Sequence, residues 1–306
     1  MKRNLSDYLI VTVKGIAMGA ADVVPGVSGG TIAFISGIYE ELITSINKVN
    51  LNTLKIWKQE GFSAMWKEVN GNFLLSLLVG IGFSVITLAR VIKHYLETSP
   101  ILIWAFFFGL VLASIFYVAA HIKKWNVKSI IFLVLGALIG YFITTLTPQT
   151  AEVTTAYVFL SGALAICAMI LPGISGGYIL LLLGMYKPVL DALHDKNVVM
   201  LLTLISGAVV GLLSFSRLLK WLFDNYENIT LALLTGFILG SLNKIWQWKE
   251  VIYSEVINGK LKILEDQSVL PANFDGDPQI AGALIMSVIG ILLIVFLERL
   301  AENRSK

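Results

Sequence analysis

The chain is poor in the residues that make a soluble protein. Of its 306 residues, only 14% are charged. A soluble domain carries about 25%, so a folded water-soluble form would expose large apolar patches. One cysteine, Cys167, excludes an internal disulfide framework. Three histidines (His94, His121, His194) with no ligand spacing point to no metal site. There is no P-loop, Rossmann fingerprint or zinc motif, so neither a cofactor nor a nucleic-acid partner is expected. The Met-Lys-Arg start lacks a small-residue cleavage site, and no removable signal peptide is expected.

Apolar residues are abundant, at 57% of the chain. Several apolar runs approach or exceed the roughly 18–20 residues that span a bilayer and are too long for barrel strands. The sequence therefore predicts an all-α polytopic membrane protein. The apolar segments are 8–24, 31–47, 73–93, 101–121, 127–147, 156–171, 178–194, 198–222, 229–246 and 280–298. Two polar connectors, 48–72 and 247–279, read as interfacial or aqueous and are assigned no chemistry.

An internal repeat organises these segments. "PGVSGGTIAFISGIY" (Pro25–Tyr39) matches "PGISGGYILLLLGMY" (Pro172–Tyr186) at an offset of 147 residues. Gly80, Arg90, Lys93, Gly109 and Ser114 match Gly207, Arg217, Lys220, Gly236 and Ser241 at 127, and "GALIG" at 136 matches "GALIM" at 282. The expected domains are therefore two repeats. Residues 1–150 hold a broken hairpin (8–47) and spans 73–93, 101–121 and 127–147. Residues 151–306 hold a hairpin (156–194) and spans 198–222, 229–246 and 280–298. The short arms form either re-entrant hairpins or complete passes. Either way each half crosses an odd number of times, which makes the repeats inverted. With the N-terminus inside, the segments 2–14, 48–67, 123–128, 217–220 and 299–306 place fifteen of the 23 Lys and Arg inside. Both termini are thus expected in the cytoplasm.

The breaks carry the candidate chemistry. Pro25 and Pro172 end the preceding helices. Gly26, Gly29, Gly30, Gly173, Gly176 and Gly177 let a ligand approach the backbone, and Ser28 and Ser175 cap the helices that begin near Thr31 and Tyr178. Helix N-termini carry unpaired N–H groups and the positive dipole end, so two facing breaks make an anion site with phosphate as the natural ligand. Arg90 and Arg217 could hold phosphate bidentately. Lys93 and Lys220 are accessory candidates, against plain snorkelling anchors. Asp22 faces Met169 in the repeat and Glu40 faces Lys187. An acid near the bilayer centre costs about 2.5–3.5 kcal/mol on insertion scales, which marks Asp22 as a protonatable or cation-binding coupling site, with Glu40 as a second. The bland alternative for Asp22 is a hydrogen bond to its own loop. Tyr39 and Tyr186 close the motifs as interfacial anchors or head-group donors.

"GAADVVPGVSGGTIAFISGIYEEL" followed by "LPGISGGYILLLLGMY" resembles the bacterial polyprenyl-phosphate transporter (PopT) family over nearly the whole chain. The resemblance implies a multi-pass protein of the bacterial plasma membrane and no enzyme. Such a protein returns the lipid carrier undecaprenyl phosphate from the outer to the inner leaflet for cell-wall precursor recycling. Moving one negative charge inward against a negative-inside potential costs about 2.3 kcal/mol per 100 mV, so coupling to a proton or another cation is expected. The oligomeric state is left open. Two alternatives compete. Undecaprenyl-pyrophosphate phosphatases share broken helices and a PGxSRSG motif, but Gly29 stands at its Arg position, and the only Glu-x-x-x-Glu is Glu298/Glu302 in the tail. Small-anion channels also aim broken helices at a central ion, but Asp22 would repel chloride.

Overall fold

The computed structural model describes residues 3–24, 26–149, 152–257 and 260–302, with side chains left undescribed at 255–265 and beyond 296. The chain is mostly helical, as its hydropathy demands. Helix α1 (Leu5–Val23) starts on a reciprocal cap between Asn4 and Asp7 and stops before the first break. Two short helices follow, α2 (Gly29–Ile35) and α3 (Tyr39–Asn47). The polar connector folds as α4 (Leu51–Glu60) and α5 (Phe62–Glu68). Long apolar helices come next: α6 (Gly71–Thr98), α7 (Pro100–Ala120) and α8 (Val127–Thr145). The second half runs α9 (Thr155–Ile170), α10 (Gly176–Leu182), α11 (Tyr186–His194), α12 (Val198–Ser241) and α13 (Ile280–Glu302).

Among the described residues, α6, α7, α8 and α12 are long and apolar enough to cross a membrane, and α10 with α11 passes the same test as a pair bent by 106°. Their outward faces carry Leu78, Ile86, Leu138, Phe142 and Leu202, all well exposed. Such a surface is soluble only in lipid, and the chain is a multi-pass membrane protein. Helix α12 covers the expected span 198–222 and most of 229–246, whose last residues form the 3-10 turn Leu242–Ile245. Tyr226 leaves helical geometry inside it, at φ −140° and ψ 42°.

One element departs from the expected all-helical class. Strands β1 (Lys249–Ile257) and β2 (Lys260–Ser268) pair antiparallel within the second polar connector.

Glycines bring the helices together at backbone distance. A Cβ on Gly80 would lie 2.1 Å from the Thr12 carbonyl oxygen, so α1 and α6 touch. A Cβ on Gly207 would lie 1.9 Å from the Phe159 oxygen, which joins α9 to α12 in the same manner. A Cβ on Gly109 of α7 would lie 2.0 Å from Ser287 O of α13, and one on Gly236 of α12 would lie 2.1 Å from Leu133 O of α8. A Cβ on Gly290 or Gly136 would in turn lie 2.2 Å from Phe106 O or Leu233 O. Helix α7 thus packs on α13 as the later part of α12 packs on α8. By these contacts Gly136 answers to Gly290, not to Gly282 of the short sequence match.

Candidate functional site

The breaks at the ends of α1 and α9 meet. Gly26 and Gly173 take φ of +84° and +90°, which an L side chain rarely adopts, and this lets the chain turn after each helix. The Ser28 hydroxyl donates to Met169 O at 3.1 Å and Leu171 O at 3.3 Å. Gly173 N donates to Thr31 Oγ1 at 2.9 Å. Gly30 lies so close that a Cβ would sit 2.5 Å from Ile170 O. Ser28 and Thr31 are 1% and 0% exposed. Pro172 is buried in this junction, and Pro25 lies outside the described residues.

The two breaks differ in what occupies their helix starts. At the first, Gly29 N donates to Asp22 Oδ1 at 2.7 Å, and Gly30 N donates to Ser28 Oγ at 3.1 Å. The protein's own carboxylate and hydroxyl fill the places expected for phosphate oxygens. The local hydrogen bond foreseen for Asp22 is therefore present. At the second break Ser175 stands at the N-cap but, unlike the expectation, makes no capping hydrogen bond, Met169 replaces the acid, and Gly177 is exposed. Tyr178 donates its hydroxyl to Ile143 O and Thr144 O, at 3.3 and 3.2 Å.

The other candidates lie elsewhere. Arg90 and Arg217 are exposed, and neither lines the large cavity described below. Lys93 lies 3.7 Å from Glu97 and Lys220 lies 2.5 Å from Asp224, both one turn along their own helix. Tyr39 is 2% exposed and packs on Phe34 and Phe223, with ring centroids 4.8 and 6.0 Å away. Its hydroxyl has no hydrogen-bond partner among the described residues. Tyr186 is half-buried. Glu40 is exposed and lines a small polar cavity beside Glu41, Lys48 and Lys67.

A cavity of about 1630 Å³ runs along α1. Its lining residues on that helix run from Asp7 to Ala21, about 21 Å at 1.5 Å per residue. Ile32 and Ile35 of α2, Phe106, Phe107 and Leu110 of α7, and Leu293 and Ile294 of α13 make the walls apolar. Arg3, Lys67, Glu41 and Asn70 make the mouth polar, and Lys14 adds a cation part-way along α1. The Arg3 guanidinium grips both Glu41 oxygens, and Asn70 Nδ2 donates to Glu41 Oε1 at 2.7 Å. Lys14 donates to the Ser36 carbonyl at the end of α2. In the sequence Arg3, Lys14 and Lys67 are inner-face charges with no site role. The available signal was Lys14 itself, a lone cation within an apolar helix, which is rarely idle in a membrane.

A family model described as VCA0040-like, undecaprenyl phosphate translocase-like, matches residues 18–261. A polyprenyl-phosphate transporter of Vibrio cholerae is 46% identical over 308 residues, covering 99% of this chain and all of its own length. A polyprenyl-phosphate transporter of Staphylococcus aureus is 29% identical over 75% of this chain and 83% of its own. No solved structure matches the chain. The family model spans both breaks and the Vibrio relative covers nearly the whole chain, and the chain belongs to the undecaprenyl phosphate translocase-like family.

Proposed function

We propose that this protein carries a polyprenyl phosphate across the bacterial plasma membrane, from the outer to the inner leaflet, so that the lipid carrier can be used again in cell-wall synthesis. The observation that carries this reading is the cavity along α1, cationic at its mouth and apolar in its depth. A phosphate head needs charged donors, and a prenyl tail needs hydrocarbon walls and access to lipid. The names of the two relatives agree. The reading is of a carrier with no catalytic step, embedded with both termini in the cytoplasm.

Two inverted repeats, 1–150 and 151–306, account for the paired contacts at Gly80 and Gly207, and at Gly109 and Gly236. Re-entrant hairpins account for two further contacts. The Tyr157 hydroxyl near the start of α9 donates to Leu183 O just beyond α10, and Gln149 N donates to Leu182 O. These contacts support a second hairpin that returns to the face it entered.

Asp22 is the coupling residue in this reading. As a carboxylate it holds Gly29 N–H and blocks the start of α2. Once protonated it holds that donor less strongly, and the amide becomes free for a phosphate oxygen. The proton also offsets the charge moved inward, which otherwise costs about 2.3 kcal/mol per 100 mV. The test is inward flux of a labelled polyprenyl phosphate in proteoliposomes with an imposed pH gradient. Acid outside speeds wild-type flux, and Asp22→Asn lowers it at least tenfold and flattens the pH response. Wild-type flux and pH response in Asp22→Asn would remove the coupling role. Loss of flux in Lys14→Gln with the fold intact tests the cavity separately.

A further inference from the structure

One charged cluster lies apart from the cavity and unused by the reading above. After α12 the chain passes through a 3-10 turn, Leu242–Ile245, and enters β1. Lys244 Nζ donates to Asp266 Oδ1 at 3.1 Å. Lys249 Nζ lies 3.3 and 3.4 Å from the two oxygens of the same carboxylate, and donates to the Lys244 carbonyl at 2.5 Å. The side chains of Lys244, Lys249 and Asp266 are only 15%, 13% and 22% exposed. Two ammonium groups thus share one carboxylate in a poorly solvated place, where unbalanced charge is unfavourable. Burial lowers the Lys249 ammonium to about 8 even though Asp266 pulls the other way.

The position is as telling as the charge. The stem of Lys244 covers Gly26 of the first break, where an added Cβ would fall 2.9 Å from Lys244 Cγ. Its ammonium stands 4.8 Å from the ring centre of Tyr178 in the second break. The cluster therefore touches both breaks, whereas the Arg3 mouth of the cavity lies at the opposite end of α1.

The geometry points to a phosphate-monoester site formed by Lys244 and Lys249 and held shut by Asp266, whose carboxylate occupies the place of the ligand's oxygens. A phosphate monoester brings close to two negative charges and three acceptor oxygens. Replacing Asp266, it balances both lysines where one carboxylate cannot. The displaced acid sits on an isolated two-stranded hairpin, a unit of marginal stability in its own right, so the hairpin can lift while the helices stay packed. This inference rests on the carrier reading. It gives the head group a cationic station at the far side of the breaks from the cavity mouth, with β1 and β2 as the cover.

Calorimetry on the full chain in nanodiscs tests it, with a short-chain prenyl phosphate, the matching prenyl alcohol and inorganic phosphate as probes. Asp266→Asn should bind the prenyl phosphate at least tenfold more tightly, and Lys244→Gln and Lys249→Gln at least tenfold more weakly. The alcohol should show no such differences. Equal shifts with inorganic phosphate mark a general phosphate site, and shifts confined to the prenyl phosphate mark a lipid head-group site. In the wild-type protein, where misfolding of a variant plays no part, prenyl phosphate should raise amide exchange across 249–257 at least tenfold. Unchanged exchange, or unchanged affinity in all three variants, overturns the site while leaving the carrier standing. A wild-type protein that neither binds nor moves the prenyl phosphate overturns the carrier reading itself.

Discussion

Asp22 and Met169 hold matching places before the two breaks, and one carboxyl group makes the breaks chemically unlike. The asymmetry is legible in the sequence, since the repeat aligns an acid with a thioether. The bond from Gly29 N to Asp22 is not, because it depends on a turn whose shape no pattern specifies. The cations divide in the same way. Arg90 and Arg217 drew notice because they recur at one offset, yet both are exposed. Arg3 and Lys14 have no repeat partner, and only folding brings them to one cavity. Lys249 gives a prediction at this scale. Its ammonium titrates near 8 in the fold, against 10.5 for an ordinary lysine. Below pH 8 both folded and unfolded chains hold the proton, and the unfavourable burial is felt in full. Between about 8 and 10.5 the unfolded chain holds a proton that the fold has released, so stability rises with pH. Thermal unfolding of Lys249→Met across this range should show a shallower rise than the wild type. An identical slope counts against a buried, depressed Lys249.

Helix pairs, more than single side chains, decide whether this fold forms. The apolar lengths, the breaks and the glycine motifs were all readable, because a bilayer admits few solutions for a chain this apolar. The hairpin β1–β2 was missed although its signal is present. Asn258-Gly259 sits between two runs rich in alternating residues, a strong hairpin pattern. The pattern runs against the membrane class, since strands do not belong in a helical bundle. Which glycines bear on packing also needed the structure. Gly80 and Gly82 are two residues apart on α6, but a Cβ on Gly80 meets Thr12 O at 2.1 Å and one on Gly82 meets nothing within 4 Å. Gly80→Ala should therefore destabilise by about 1–3 kcal/mol as an overpacked site. Gly82→Ala should be neutral or stabilise by up to about 1 kcal/mol through helix propensity. Thermal unfolding of the two variants in detergent compares them directly, and equal effects would mean that α1 and α6 do not pack as described.

At the scale of the whole molecule, the inverted-repeat reading puts Leu51 and Val251 on opposite faces of the membrane. Both are exposed, at 77% and 52%. In a Cys167→Ser background, a membrane-impermeant maleimide added to intact cells should label Val251→Cys and leave Leu51→Cys unlabelled until the cells are opened. Labelling of both from one face would break the predicted topology. The bond from Gly173 N to Thr31 Oγ1 has a consequence in time. Its two ends are 142 residues apart, and Ser28 waits equally long, within a residue, for Met169 and Leu171. At roughly 5–20 residues per second, the first hairpin leaves the ribosome about 7–28 s before its partner exists. Through that interval Ser28 and Thr31 lack the groups that later satisfy them, in a solvent that offers few substitutes. The newborn hairpin needs shelter, at the water interface or inside the insertion machinery, until the second half arrives.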